Sequence, residues 1–145
     1  MRKTALALGA AASISVAALG APLASANAGL SGTAKPAKPA IGQTVKVHVT
    51  GAIKKHSYYC LLALGHAGVM GGASLADTGT LQTVKSTKSG VISCTQVFLN
   101  FTGTYKGKTH HCPPTKADKR HGWYCGVGIA NVTNHKQFVI VPFKF

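Results

Sequence analysis

The N-terminus has the features of a signal peptide for secretion. Two basic residues are followed by residues 5–19, an uncharged run of small and apolar side chains, and then by the small residues of a cleavage site. We therefore predict a secretory signal peptide over residues 1–28, cleaved after Ala26 or Ala28. A membrane anchor is the alternative, but the run is short, and no later stretch is long and apolar enough to span a bilayer.

Export determines the redox state of the cysteines in residues 29–145, which we predict to be one domain with one core. They are Cys60, Cys94, Cys112 and Cys125. In an oxidising compartment an even set of cysteines forms disulfides, so two bridges are expected. The spacing alone allows three pairings.

Short β-strand patterns recur along this domain, with turns at even spacing and almost no helical periodicity. Residues 29–41 form an extended lead-in or an edge strand. The predicted strands are residues 44–50, 58–64, 80–87, 91–101, 124–130 and 138–145. This pattern predicts an all-β protein, an antiparallel immunoglobulin-like β-sandwich of about seven strands.

Three of these segments lead to specific expectations about burial. Residues 44–50 alternate, so Val45, Val47 and Val49 should share a buried face. Residues 58–64 are apolar throughout, which indicates a strand buried on both faces or, alternatively, a short buried helix. Residues 65–79 are rich in glycine and alanine and predict a long, mobile loop.

The segment at residues 91–101 has a conflict between its two faces. Val97, Leu99 and Phe101 are predicted to point inward together, which would turn Cys94 outward. We expect a β-bulge between Cys94 and Val97 to bring the cysteine inside. A strand that is apolar on both faces is the alternative.

At the C-terminus, alternation predicts that Val139, Val141, Phe143 and Phe145 share one face. Pro142 indicates an edge strand or a bulge there.

Positive charge dominates the composition. The whole chain has a formal net charge of +14, and residues 29–145 retain +12 with only two aspartates. Such a surface attracts polyanions. The candidate partners are nucleic acid, teichoic-type wall polymers and anionic lipid surfaces; the alternative is that the charge only keeps a secreted protein soluble. Besides the turn at residues 54–56, the candidate polyanion-binding residues are Lys106, Lys108, Lys116, Lys119 and Arg120.

Enzymatic chemistry has little support in the sequence. There is no glutamate, the two aspartates are far apart, and no nucleophile or phosphate-loop motif occurs, so we predict that the protein is not an enzyme. His110, His111 and His121 lie close to Cys112 and Cys125. They lack the short regular spacings of a zinc site, so loop histidines beside a disulfide are expected and no metal is predicted.

Trp123 is the only tryptophan and admits two interpretations. Together with Tyr105 and Tyr124 it interleaves aromatic rings with basic residues, a mixture used for stacking and backbone contacts with nucleic acid. Alternatively it packs inside, because a tryptophan beside a half-cystine often packs on the disulfide.

Several motifs resemble the neocarzinostatin family, the secreted actinobacterial apoproteins that carry enediyne antitumour antibiotics. One is Cys125-Gly126-Val127-Gly128-Ile129, and a second is the ending Val139-Ile140-Val141-Pro142-Phe143-Lys144-Phe145. The segment from Gly42 to Gly51 is similar to the second strand of that family. The chain differs from the family in its strong positive charge and in the distance between Cys60 and the nearest other cysteine.

The resemblance implies a seven-stranded sandwich with a cleft beside its larger sheet, where family members hold a non-covalent enediyne-type chromophore; no other cofactor is expected. It also implies antibiotic or antimicrobial activity, an association with DNA binding, and a secreted protein, which we expect to be monomeric. It pairs Cys112 with Cys125 and leaves Cys60 with Cys94. The candidate contacts for a small apolar ligand are Tyr59, Leu62, Phe98 and Trp123.

Overall fold

A computed structural model describes residues 29–66 and 75–145; the predicted signal peptide at residues 1–28 lies outside the described residues. Nearly all regular structure in the described part is β. The strands are β1 (Ser31–Lys35), β2 (Thr44–Thr50), β3 (Ser57–His66), β4 (Ala76–Lys85), β5 (Ile92–Val97), β6 (Phe101–Tyr105), β7 (Lys108–Cys112), β8 (Trp123–Asn131) and β9 (Phe138–Pro142). One short helix, α1 (Lys116–Arg120), precedes β8.

Seven strands form two antiparallel sheets that share one core. The smaller sheet has the order β1-β2-β5 and the larger has the order β4-β3-β8-β9. Strands β6 and β7 pair separately as a hairpin. The inward side chains of both sheets belong to one buried cluster. The predicted all-β sandwich of about seven strands is therefore confirmed, and the separate hairpin lies where the sequence predicts a basic hairpin-like turn over residues 102–111.

Strand β2 has the predicted bounds and faces. Val45, Val47 and Val49 are at most 2% exposed, while the intervening side chains are exposed. The edge strand allowed for in residues 29–41 is β1, which pairs with β2 only. At the other end of the chain Val139, Val141 and Phe143 are buried together as expected, and Phe145 packs against them from a partly buried position.

Strand β3 has two apolar faces, as the sequence predicted for residues 58–64. Tyr58, Cys60, Leu62 and Leu64 are fully buried in the sandwich, and the residues between them face the other side of the sheet. The predicted loop at residues 65–79 is longer than the connection between β3 and β4 in the structure. Strand β3 continues to His66 and β4 begins at Ala76, because β4 pairs with β3 on both sides of an irregularity. Residues 67–74 lie outside the described part.

The prediction for residues 91–101 is wrong in its register. Strand β5 alternates without a bulge, so Cys94 and Gln96 face inward, whereas Val97 and Leu99 are 47% and 44% exposed. Gln96 can occupy a buried position because its amide donates to the carbonyl oxygens of Cys60, at 2.9 Å, and Thr80, at 3.1 Å. A hydrogen-bonded glutamine thus takes the inward position that hydrophobicity assigned to its neighbour.

Both disulfides have the expected partners. Cys60–Cys94 joins β3 to β5 and so links the two sheets, and Cys112–Cys125 joins the β6–β7 hairpin to β8. Within the two described ranges, no helix has the length and apolar character needed to cross a membrane.

Candidate functional site

An apolar cleft of about 500 Å³ lies on the outer face of the four-stranded sheet. This volume is within the range typical of small-molecule sites. Its lining comes from all four strands and from the turn after β8. The lining side chains used below are Tyr59, Leu61, Ala63, Leu81, Phe138 and Ile140, with Thr78 and His135 as polar members. No lysine, arginine or acidic residue is found among the described residues that line it.

Strand register explains why these residues meet. Gly128 of β8 pairs with Leu61 on one side and with Ile140 on the other, so the three share one face in a row across the sheet. One step along, Ala130 pairs with Tyr59 and Phe138 in the same way. Small residues in the central strand with larger apolar residues on both sides produce a concave surface.

Gly128 forms the floor of the cleft, because it has no side chain to fill the middle of this surface. A Cβ atom built at this position would lie 3.2 Å from the Cβ atom of Ala63 and 3.7 Å from Cδ2 of Leu61. Any side chain larger than a methyl group would therefore occupy the cleft itself. The residue type at position 128 thus contributes directly to the depth of the site.

The polar groups of the cleft lie at its edge. The ring of His135 lies 6.2 Å from that of Tyr59, and its Nε2–H donates to the carbonyl oxygen of Val132 at 3.0 Å. That bond leaves Nδ1 as the acceptor of the neutral ring. A largely apolar cavity with a few polar groups suits an apolar ligand whose orientation is set by one or two hydrogen bonds.

The structure places only one of the four predicted ligand contacts in this cleft. Tyr59 lines it. Leu62 and Phe98 are fully buried between the sheets, so neither side chain can contact a ligand in the cleft. For Leu62 the reason is strand parity, since Leu61 has the outward position. Phe98 instead packs against Phe143 and Phe145, with ring centroids 5.3 and 5.4 Å away.

Trp123 is also absent from the cleft lining. Its indole is 6% exposed and stacks on the ring of His110, with centroids 3.8 Å apart and planes 16° apart. The rings of His66 and Tyr105 contact it at 4.7 and 5.7 Å. These contacts favour the packing interpretation of Trp123, with the rings of the hairpin and of β3 as its partners in place of the expected disulfide.

The predicted polyanion-binding residues are exposed and lie on two neighbouring elements. Lys106 lies in the turn of the β6–β7 hairpin and Lys108 begins β7, while Lys116, Lys119 and Arg120 lie on α1. Among the described residues, the only contacts within 4.0 Å between a carboxylate and a basic side chain are those of Asp118 with His110 and His111. The positive charges of this hairpin and helix therefore have no acidic partner within the described part.

Asp118 joins the hairpin to the helix. Its side chain is buried, and its two oxygens accept hydrogen bonds from Nδ1 of His110 at 2.9 Å and Nδ1 of His111 at 3.1 Å. The backbone N–H and hydroxyl group of Thr115 donate at 3.1 and 2.8 Å, and the Thr115 hydroxyl accepts from the Asp118 N–H in a capping box. The contact with the hairpin is not evident from the sequence, because it joins residues of different elements.

These donors determine the charge state of Asp118. Burial raises the pKa of its carboxyl group, but the hydrogen bonds from His110, Thr115 and His111 outweigh burial and hold the pKa well below its ordinary range. Asp118 is therefore ionised wherever the protein is folded near neutral pH. Its role in this arrangement is structural.

No set of three or more histidine, cysteine or acidic residues suited to a metal ion occurs in residues 29–66 and 75–145. His110 and His111 are both bonded to Asp118, and Cys112 and Cys125 are in a disulfide. Of the three histidines that the sequence singled out, His110 and His111 lie on β7 and not in a loop, with hydrogen-bonding and stacking roles, and His121 is the C-cap residue of α1.

Comparison with solved structures supports the fold. Macromomycin, an apoprotein of the neocarzinostatin family, aligns over 79% of this chain and 99% of its own length, with a TM-score of 0.53 and 21% sequence identity. The chain has a macromomycin-like fold. The resemblance predicted from the sequence is thereby confirmed for the fold. No family model matches the sequence, and no curated protein matches it.

Proposed function

We propose that the protein is a secreted, non-enzymatic carrier that binds a small, largely apolar aromatic ligand of the enediyne-chromophore type in the cleft of the four-stranded sheet. The observation that carries the proposal is the cleft itself, an uncharged cavity of about 500 Å³ on an outward sheet face. The likeness to macromomycin supports it through the fold. The ligand is held non-covalently, by apolar contact and by the polar groups at the edge.

Titration with a neutral fluorescent aromatic such as N-phenyl-1-naphthylamine tests this proposal. The probe has no charge, so it does not respond to the positive surface, and its emission increases in apolar surroundings. We expect saturable binding to the native protein. In Ala130→Leu, the added side chain extends into the cleft between Tyr59 and Phe138, and the affinity should fall roughly tenfold or more.

Ala40→Leu is the matched control, because Ala40 is exposed and outside the cleft lining. It makes the same change in residue type and should bind the probe as the native protein does. Equal loss of affinity in both variants, or no saturable binding to the native protein, would contradict the proposal.

We propose as a second candidate function that the hairpin and α1 bind a polyanion such as DNA. The observation that favours it is the set of five exposed basic residues on elements that Asp118 holds together. Binding of duplex DNA should weaken steeply with added salt, and it should weaken further in Lys116→Gln/Lys119→Gln. A salt-independent interaction, or none at low salt, would exclude this candidate.

A further inference from the structure

The outer face of the three-stranded sheet has a chemistry that neither proposed function uses. Its outward side chains alternate regularly along β1, β2 and β5. They are Ser31, Thr33 and Lys35 of β1, Thr44, Lys46, His48 and Thr50 of β2, and Ser93, Thr95 and Val97 of β5. Nine of these ten side chains bear a hydroxyl group, an ammonium group or an imidazole, and none is acidic.

Strand register arranges these groups in rows. Thr33, His48 and Ser93 lie across the sheet from one another, and the next row is Lys35, Lys46 and Thr95. Neighbours across the strands are about 5 Å apart and alternate residues along a strand are about 7 Å apart. A chain of anionic groups laid over this face would therefore meet a positive charge or a hydroxyl donor at each step.

Lys35 and Lys46 occupy directly opposed positions in this array. Like charges at such positions destabilise a sheet. Neither lysine forms a salt bridge, since the ion pairs in the described part involve only Asp118. An unneutralised pair of lysines, at a cost to the free protein, indicates an anion as the missing partner.

The face is also concave. A groove of about 700 Å³ is lined by Thr33, Lys35, Lys46, His48 and Thr95 on the sheet and by Gln82 and Val84 of β4. Gln82 closes one side, because its amide donates to the carbonyl oxygen of Thr95 at 2.7 Å. A groove of this kind suits a single flexible chain better than the plane of a bilayer.

The composition of the groove decides between types of chain. Single-stranded nucleic acids are held by aromatic rings on which the bases stack, in addition to positive charges. The described residues that line this groove include no phenylalanine, tyrosine or tryptophan, and the imidazole of His48 is the one ring among them. Ammonium groups with hydroxyl donors satisfy phosphate oxygens and the hydroxyl groups of a polyol, with no requirement for bases.

From these observations we infer that the outer face of the β1-β2-β5 sheet is a binding site for a flexible phosphodiester polymer of the polyol-phosphate type. Lys35 and Lys46 neutralise adjacent phosphates, and Thr33, Ser93 and Thr95 donate hydrogen bonds along the groove. The site is separate from the cleft and from the hairpin and helix that carry the second candidate function.

Fluorescence anisotropy with labelled poly(glycerol phosphate) tests the inference. In Lys35→Gln/Lys46→Gln, we expect at least a roughly tenfold loss of affinity. Each lost phosphate contact to a flexible chain reduces the slope of log affinity against log salt by about 0.7, so the double variant should have a slope shallower by about 1.4. Thr95→Val, which keeps the shape of the side chain, should also weaken binding.

The control is Lys88→Gln/Lys144→Gln, which removes the same charge from exposed positions outside the groove, the hairpin and the helix, and should change both quantities much less. The unfolding temperature of Lys35→Gln/Lys46→Gln should not fall, because the substitution removes a repulsion. Equal losses in the two double variants would show an effect of net charge alone and overturn the inference. So would oligothymidylate that binds as tightly as the polyol phosphate, or full affinity in both Lys35→Gln/Lys46→Gln and Thr95→Val.

Discussion

The outer faces of the two sheets differ in a way that indicates where a ligand binds. In the three-stranded sheet, the side chains that point away from the core are hydroxyl-bearing and basic residues, which suit water or an anionic chain and not an apolar ligand. In the four-stranded sheet the corresponding positions of β3, β8 and β9 include Leu61, Ala130, Phe138 and Ile140. One apolar face of this sheet packs against the core. The second apolar face has no core to cover and therefore requires another partner. The cleft on that face marks where a ligand would supply it.

Leu61 and Leu62 give the sharpest test of this contrast, because they are consecutive and identical in type. Leu62 is fully buried between the sheets, so Leu62→Ala should reduce the free energy of unfolding by about 2–5 kcal/mol. Leu61 faces the cleft and is only partly buried, so Leu61→Ala should cost about 1 kcal/mol or less. The measurement is urea denaturation of both variants.

The two variants should reverse their order in binding. Leu61→Ala removes one side of the cleft and should lower the affinity for the neutral aromatic probe roughly tenfold. Folded Leu62→Ala should retain most of that affinity. If Leu61→Ala binds the probe as the native protein does, the outward apolar face has no role in recognition.

Asp118 contributes to neither face, so its substitution should change stability without changing the cleft. Asp118→Asn places an amide among donors and should cost about 2–3 kcal/mol of unfolding free energy at neutral pH. Because the folded-state pKa is depressed, the stabilisation is present above the ordinary pKa of about 4 and is lost as pH falls below it. The free energy of unfolding, measured between pH 2 and pH 7, should therefore decrease less steeply toward acid pH in the variant; this decrease is called the acid limb below.

Asp77→Asn provides the control for charge, since it removes the other aspartate, which is only partly buried. The reduced dependence on acid pH should be specific to Asp118→Asn, which removes the buried carboxylate that accepts hydrogen bonds from His110, His111 and Thr115. An equally flattened limb in both variants would assign the pH dependence to net charge instead of to the hydrogen bonds of Asp118.

On the outer face of the three-stranded sheet we expect a substitution that slightly increases stability. Lys46→Gln relieves the repulsion with Lys35 and should increase the free energy of unfolding by about 0.2–1 kcal/mol at low salt. The gain should shrink as salt screens the pair. Thermal unfolding at two ionic strengths measures it, with Lys108→Gln as the control. A destabilised Lys46→Gln would mean that the two ammonium groups do not repel one another in the fold.

The sequence predicted the sandwich because most strands alternate, and it predicted two disulfides because a chain that is expected to be exported has an even number of cysteines. It could not predict the position of the cleft, since residues 58–64 are apolar on both faces and neither Leu61 nor Leu62 is distinguished by its neighbours. The burial of Gln96 could not be predicted from the sequence either, because it depends on hydrogen bonds to carbonyl oxygens of β3 and β4. Both cases concern contacts between distant segments, which a periodic pattern does not contain.

Amide chemical-shift mapping with the neutral aromatic probe tests the central claim most directly. On a ¹⁵N-labelled sample, we predict saturable shifts at Tyr59, Leu61, Gly128, Ala130 and Ile140, with those of Lys46, His48 and Thr95 unchanged. Shifts centred on the three-stranded sheet, or spread over both faces without saturation, would contradict the assignment of the cleft as the ligand site.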